Sequence, residues 1–113
     1  RVVIASAGHA GTIVFDEIDS GIGGAVADAV GQRLARLSSS VQVLVVTHQP
    51  QIAARASHHF QVSKPGRNGK ISTRVEKLSH EKRIEEVARM LAGARVTDEA
   101  RAAADRLILE AES

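Results

Sequence analysis

Thr12-Ile13-Val14-Phe15-Asp16-Glu17-Ile18-Asp19-Ser20-Gly21-Ile22-Gly23-Gly24 is the stretch on which the reading of this chain turns. Thr12 to Phe15 is a short apolar, β-branched run of the kind that forms a buried parallel strand. The run stops at two adjacent acids. Open α/β sheets place their ligands at the carboxyl ends of their strands, and two carboxylates there are costly unless they bind a cation or act on a proton. Successive strand side chains point to opposite sides, so Asp16 and Glu17 are suited to different tasks.

Four apolar residues followed by Asp16 and Glu17 match the Walker B pattern of nucleotide hydrolases. In that pattern the aspartate holds Mg²⁺, usually through water, and the glutamate orients and deprotonates the attacking water. The alternative at this point is a strand that simply ends in solvated acids.

Downstream, Val26, Val30, Leu34 and Leu37 recur at helical spacing with Asp28, Gln32, Arg33 and Arg36 opposite them, which predicts an amphipathic helix over 24–37. Ser38 to Ser40 make a loop, and Val41 to Val46 reads as a second buried strand that ends at Thr47 and His48. A strand, helix and strand of this length form a right-handed parallel crossover. That topology brings His48 to the sheet edge that carries Asp16. An imidazole there can donate a hydrogen bond to a terminal phosphate; its alternative is an ordinary loop histidine.

Pro50 suits the first turn of a short helix running to about Ala56. His58 to Lys64 and Lys70 to Leu78 alternate as strands around Pro65-Gly66-Arg67-Asn68-Gly69, which predicts a hairpin with His58 and His59 on opposite faces. Ser79 caps a helix that turns Ile84, Val87, Ala88 and Leu91 inward and stops at Gly93; Thr97 caps another, with Asp98 and Glu99 in its first turn. Upstream, Arg1 to Ala7 is apolar and small, a helix tail or a strand, followed by the loop Gly8-His9-Ala10-Gly11. The opening falls in the middle of an apolar pattern and reads as a continuation of earlier sequence.

With 113 residues, the chain is one domain at most, and it is short for a complete nucleotide-hydrolase module. Aromatic content of 2%, without Trp or Tyr, argues against a stacking platform for single-stranded nucleic acid, and Phe15 and Phe60 read as core residues. The absence of cysteine rules out disulfides and thiolate metal sites, in keeping with a reducing, cytoplasmic setting. No apolar run is long enough to span a bilayer, so no membrane association is expected. A formal charge of +2 leaves any nucleic-acid role to local clustering. The clearest cluster is Lys64, Arg67, Lys70, Arg74, Lys77, Lys82 and Arg83 against Glu76 and Glu81, a hairpin that could lie on a phosphate backbone or be a solvated edge kept soluble by charge.

Three other chemistries compete for these residues. A dinucleotide fingerprint through Gly21 and Gly23 fails because its third glycine would fall at Val26 and carboxylates sit where pyrophosphate would approach. A P-loop ending at Gly69-Lys70 fails because Lys64 stands at its first glycine and Ile71 replaces the hydroxyl residue. A metal-dependent nuclease built on Asp16, Glu17, Asp19 and His48 stays open as an alternative, though no further acid follows a strand to complete a two-metal site.

The order of these segments resembles a known family. Val14-Phe15-Asp16-Glu17-Ile18-Asp19-Ser20-Gly21-Ile22-Gly23-Gly24, then a helix, then Val43-Leu44-Val45-Val46-Thr47-His48-Gln49-Pro50-Gln51-Ile52-Ala53, then Arg89-Met90-Leu91-Ala92-Gly93 is similar to the C-terminal part of the ATPase heads of the RecN family. These are bacterial double-strand-break repair proteins of the structural-maintenance-of-chromosomes (SMC) type. The resemblance covers most of the chain, and the segment from Asp19 to Gly24 is its specific part.

The resemblance implies an α/β sub-domain of an ABC-type head with the P-loop NTPase fold, spanning 1–113, with parallel core strands, a β-hairpin and C-terminal helices. It implies ATP and Mg²⁺ as cofactors. Asp16 would be the metal ligand, Glu17 the catalytic base, Ser20, Gly21 and Gly23 parts of the D-loop that crosses to an opposing head, and His48 the switch histidine on the γ-phosphate. Gly23 stands where many ABC ATPases carry an aspartate, so D-loop contacts here would rest on backbone groups. The expected partners are the N-terminal P-loop part of the same head, a second head in an ATP-dependent homodimer, and double-stranded DNA through Lys64, Arg67, Lys70 and Arg74. The expected location is the cytoplasm, at the bacterial nucleoid. The P-loop, signature sequence and coiled coil are not in the chain, so the expectation is an ATPase parent and no hydrolysis by these 113 residues alone. The competing class is a non-catalytic module that binds DNA or a partner through the basic hairpin.

Overall fold

A computed structural model describes residues 2–4, 11–16, 23–63, 73–93 and 95–112. In chain order the elements are β1 (Val2–Ile4), β2 (Thr12–Asp16), α1 (Gly24–Leu37), β3 (Gln42–Val46), α2 (Pro50–Ala53), β4 (Phe60–Ser63), β5 (Arg74–Lys77), α3 (His80–Ala92) and α4 (Asp98–Glu112). Strands β1, β2 and β3 form one sheet in that order, and β4 and β5 form a separate two-stranded sheet. β1 runs antiparallel to β2, whereas β2 and β3 are parallel, with Thr12 opposite Gln42 and Asp16 opposite Val46.

The register sorts the sheet into two faces, because directly paired residues share a side. Phe15, Val43 and Val45 pack with Val30 against the buried residues Ala27, Leu34 and Ile52. The other face carries Val14, Leu44, Asp16 and Val46. There Leu44 is 48% exposed and Val46 is exposed as well. Val14 and Asp16 on this side are partly buried, and no buried cluster among the described residues includes it.

The inward face of α1 keeps Val30 and Leu34 of the predicted stripe and adds Ala27 and Gly31. Ala27, Gly31 and Leu34 are buried, and Val26 is exposed. Small residues win there because α2 comes very close: a Cβ at Gly31 would lie 3.3 Å from both the Gln51 carbonyl oxygen and Arg55 Cγ. The predicted short helix at Pro50 is present, but it ends at Ala53.

α2 joins two cores. Its Ile52 belongs to the sheet-side cluster, while its Ala53 and the following Ala54 join Val87, Ala88, Ala104 and Ile108 in the helical cluster. α3 and α4 are set by local chemistry as predicted. The Ser79 side chain accepts from the Lys82 backbone N–H, Gly93 ends α3 at φ +80°, and the Thr97 hydroxyl accepts from the Ala100 backbone N–H at 3.1 Å. Leu91, expected inside, is partly exposed.

At the open end of the hairpin, His58, His59 and Leu78 lie outside the strands that its alternation predicts. Phe60 pairs with Lys77 and Val62 with Val75 on one face, Gln61 with Glu76 and Ser63 with Arg74 on the other. Phe60 is 52% exposed rather than buried, as are its neighbours Val62 and Val75 to a similar degree. His58 and His59 precede the strand instead of alternating within it. The polar face turns toward α3, where Gln61 Nε2 donates to Glu86 Oε2 at 2.8 Å and Lys82 Nζ donates to Glu76 Oε1 at 2.8 Å.

Candidate active site

Asp16 is the last residue of β2, and its register partner Val46 is the last of β3. Because the two strands are parallel, their carboxyl ends form one edge, and His48 follows two residues beyond that end. Asp16 and His48 therefore share an edge. Asp16 is partly buried, whereas His48 is exposed. By strand parity Asp16 lies on the uncovered face with Leu44 and Val46, away from the side packed on α1.

The His48 loop is held by its neighbours in the chain. The Gln49 N–H donates to Thr47 Oγ1 at 2.9 Å, and the Gln49 carbonyl accepts from Ile52 and Ala53 as α2 begins. Pro50 at the first helical position removes an N–H that would have had no helical partner. α2 is fitted against the start of α1 as well: a Cβ at Gly24 would meet Gln51 Nε2 at 3.1 Å. α2, which begins two residues after His48, therefore touches the first turn of α1.

Of the other predicted site residues, Gly23 is described as the exposed residue before α1, with no Cβ obstruction around it. Arg74 is exposed at the start of β5. Glu17, Ser20, Gly21, Lys64, Arg67 and Lys70 lie outside the described residues, as does the Asp19 of the nuclease alternative. Among the described residues, no group of three or more His, Asp or Glu side chains could hold a metal ion, and no helix is long and apolar enough to cross a membrane.

Sequence reasoning missed a second set of polar contacts, at the seam between the hairpin, α2 and α3. Arg83 Nη2 donates to the carbonyls of Ala53, Ala54 and Ala56 at 3.2, 2.9 and 2.7 Å. Glu86, buried, accepts from Gln61 Nε2 and from Arg89 Nε at 3.0 Å, and pairs through its second oxygen with Arg89 Nη2. The Glu86 hydrogen bond raises the Arg89 pKa. His59 lies in the same seam; burial lowers its pKa, the Arg83 charge lowers it further, and Glu86 opposes both. A signal was available: Arg83 and Val87 stand four residues apart on α3, which puts a cation on the helix's inward side.

These features define a class. The α/β sub-domain, with its parallel pair ending at an acid and followed by an exposed histidine, is the architecture of an SMC-type ATPase head. A solved structure concerned with ATP-driven dimerization and DNA-stimulated activation of SMC ATPases superposes with a TM-score of 0.61 at 25% identity, covering 74% of this chain and 50% of that one. Relatives by sequence sharpen the assignment. The DNA repair protein RecN of Xylella fastidiosa (strain 9a5c) is 50% identical over 99 residues, 88% of this chain. RecN of Deinococcus radiodurans is 54% identical over 82 residues (73% of this chain, 14% of that protein), and RecN of Mycobacterium tuberculosis (strain ATCC 25618 / H37Rv) is 49% identical over 102 residues (90% and 17%). No protein-family model matches the chain. The chain belongs to the RecN family of DNA repair proteins, and it spans about 18% of the length of the Xylella relative.

Proposed function

We propose that this chain is the C-terminal part of an ATP-hydrolysing head in a RecN-type protein that repairs double-strand breaks by recombination, and that Asp16, Glu17 and His48 line one rim of its nucleotide pocket. The observation that carries the reading is the parallel register of β2 and β3, which gives Asp16 and His48 a common edge. The donor types fit ATP with Mg²⁺: a carboxylate oxygen suits a hard divalent cation, and an exposed imidazole can donate to a phosphate oxygen. Mg²⁺ bound there would neutralise charge on the phosphates.

In this reading Asp16 would hold the metal. Glu17, one position further along the chain, orients the attacking water and takes its proton. His48 donates a hydrogen bond to the terminal phosphate. Ser20, Gly21 and Gly23 approach the opposing head, Gly23 through backbone groups. The bare apolar side chains Leu44, Val46, Phe60, Val62 and Val75 support the same picture, since exposed apolar surface of this kind marks an interface. Here the partner is the P-loop part of the head, which would also supply the phosphate cradle. A second head and double-stranded DNA complete the assembly, with Lys64, Arg67, Lys70 and Arg74 on the DNA side, in the cytoplasm at the nucleoid.

Glu17→Gln in the complete protein is the test. It keeps the shape and the hydrogen bonds but loses the base, so nucleotide binding and head pairing persist while turnover falls by about 100-fold or more. Unchanged hydrolysis would sink the mechanism.

A further inference from the structure

We propose that Arg83 is a positioning residue for His48: by gripping the exit of α2 it fixes the short segment, residues 47–56, on which the histidine is carried. The proposal rests on the reading of His48 as a phosphate contact.

α2 is four residues long, far below the length at which a helix sustains itself in water. Its position must therefore come from its surroundings. At the front, Thr47 Oγ1 holds the Gln49 N–H. At the side, Gly31 and Gly24 of α1 admit the Gln51 backbone and side chain at close range. At the rear, a helical turn leaves its last carbonyls short of partners: that of Ala53 accepts from the Ala56 backbone N–H at 3.2 Å, and both Ala53 and Ala54 are buried. Nη2 of Arg83 donates to the carbonyls of both and to that of Ala56, its two N–H groups shared among the three acceptors. A basic side chain at a helix C-terminus is a known way to meet that need.

The cost of this arrangement points to position rather than to stability alone. Arg83 Nε is buried without a hydrogen-bond partner, and an unmet buried donor is destabilising. A small apolar residue at position 83 would leave no such orphan on α3. The guanidinium reaches across about 30 residues of sequence to the only described helix that touches both cores, directly behind the histidine loop. With Arg83 in place, the α2 turn cannot slide along α1 without breaking three charge-assisted bonds.

The experiment uses the full-length parent protein, measuring ATP hydrolysis with and without double-stranded DNA for Arg83→Gln, Arg83→Lys, His48→Ala and the Arg83→Gln/His48→Ala double variant. If Arg83 acts through His48, Arg83→Gln lowers kcat by about tenfold, Arg83→Lys recovers part of that loss, and in the His48→Ala background the same change costs less than about twofold. A merely structural role lowers the active fraction equally in both backgrounds, and equal factors overturn the proposal. So does an Arg83→Gln protein with undiminished kcat. If His48→Ala hydrolyses ATP normally, the reading of the histidine fails first and takes the proposal with it, an outcome visible in that variant alone. Hydrogen exchange supplies a readout independent of turnover. In Arg83→Gln the amides of residues 52–56 lose protection while those of 84–92 and 104–112 keep theirs; unaltered exchange over 52–56 overturns the grip itself.

Discussion

Ile108 and Leu44 are both large aliphatic residues within regular elements, yet Ile108 is completely buried and Leu44 is 48% exposed. The first belongs to the half formed by α3 and α4, where Val87, Ala88, Ala104 and Ile108 close a core and both helices carry hydroxyl caps. The second belongs to the parallel pair, where only one face is packed. A parallel sheet is normally covered on both sides. The contrast teaches that the helical half closes a core of its own, though Leu91 and Leu109 stay exposed, while the half that holds Asp16 and His48 packs only one face of its sheet into a core. The radius of gyration, 14.9 Å, also exceeds the value of about 13 Å for a compact domain of this size.

The largest expected effect tests that contrast directly. Ile108→Ala removes fully buried methyl groups and should lower stability by about 2–5 kcal/mol, whereas Leu44→Ala in the 113-residue chain should stay within about 0.5 kcal/mol. Urea denaturation of the two variants measures both. Equal losses would break the comparison. The same Leu44→Ala change made in the full-length protein sharpens it, because a covered face would raise its cost toward that of a core truncation.

A smaller effect probes the seam between the two regimes. Glu86 fastens β4 to α3 by accepting from Gln61 and from both donors of Arg89. Glu86→Ala leaves the Gln61 amide and a half-exposed guanidinium without their acceptor, and should cost about 1–3 kcal/mol. The hairpin amides should lose exchange protection before those of α4. If α4 opens together with the hairpin, the helical half does not stand apart in the way its core suggests.

The parts legible in the sequence are those fixed by local chemistry or by topology. The span of α1, the Ser79 cap, the Gly93 stop and the Thr97 cap each follow from one or two residues, and the shared edge of Asp16 and His48 follows from a strand–helix–strand order. What escaped depends on which neighbour arrives. The inward face of α1 includes the predicted Val30 and Leu34, but the stripe missed Ala27 and Gly31; Gly31 matters for the close approach of α2 rather than for hydrophobicity. Phe60 was expected inside on composition grounds, but nothing among the described residues covers its face. In the sequence Arg83 reads as part of the basic hairpin cluster and Glu86 carries no signal, because a charge on the inward side of a helix is intelligible only when its partner is known.

The smallest expected effect concerns pH, and it again separates seam from core. His59 lies before β4 with Arg83 and Glu86 of α3 facing it, and its Nδ1 is buried without a partner. Burial and the Arg83 charge hold its folded-state pKa below the usual 6.5 of an unfolded chain, despite the opposing pull of Glu86. Above pH 6.5 both states are neutral at this site and stability is indifferent to it. As pH falls below that value the unfolded chain takes up a proton that the folded seam resists, so stability declines until the folded-state pKa is passed. His59→Gln should flatten this acid-side decline while leaving stability at pH 8 nearly unchanged, and the helical core, which carries no histidine, should show no matching dependence in its exchange rates. An identical decline in the His59→Gln variant would move the titrating group elsewhere and leave the seam no more sensitive to acid than the helices it joins.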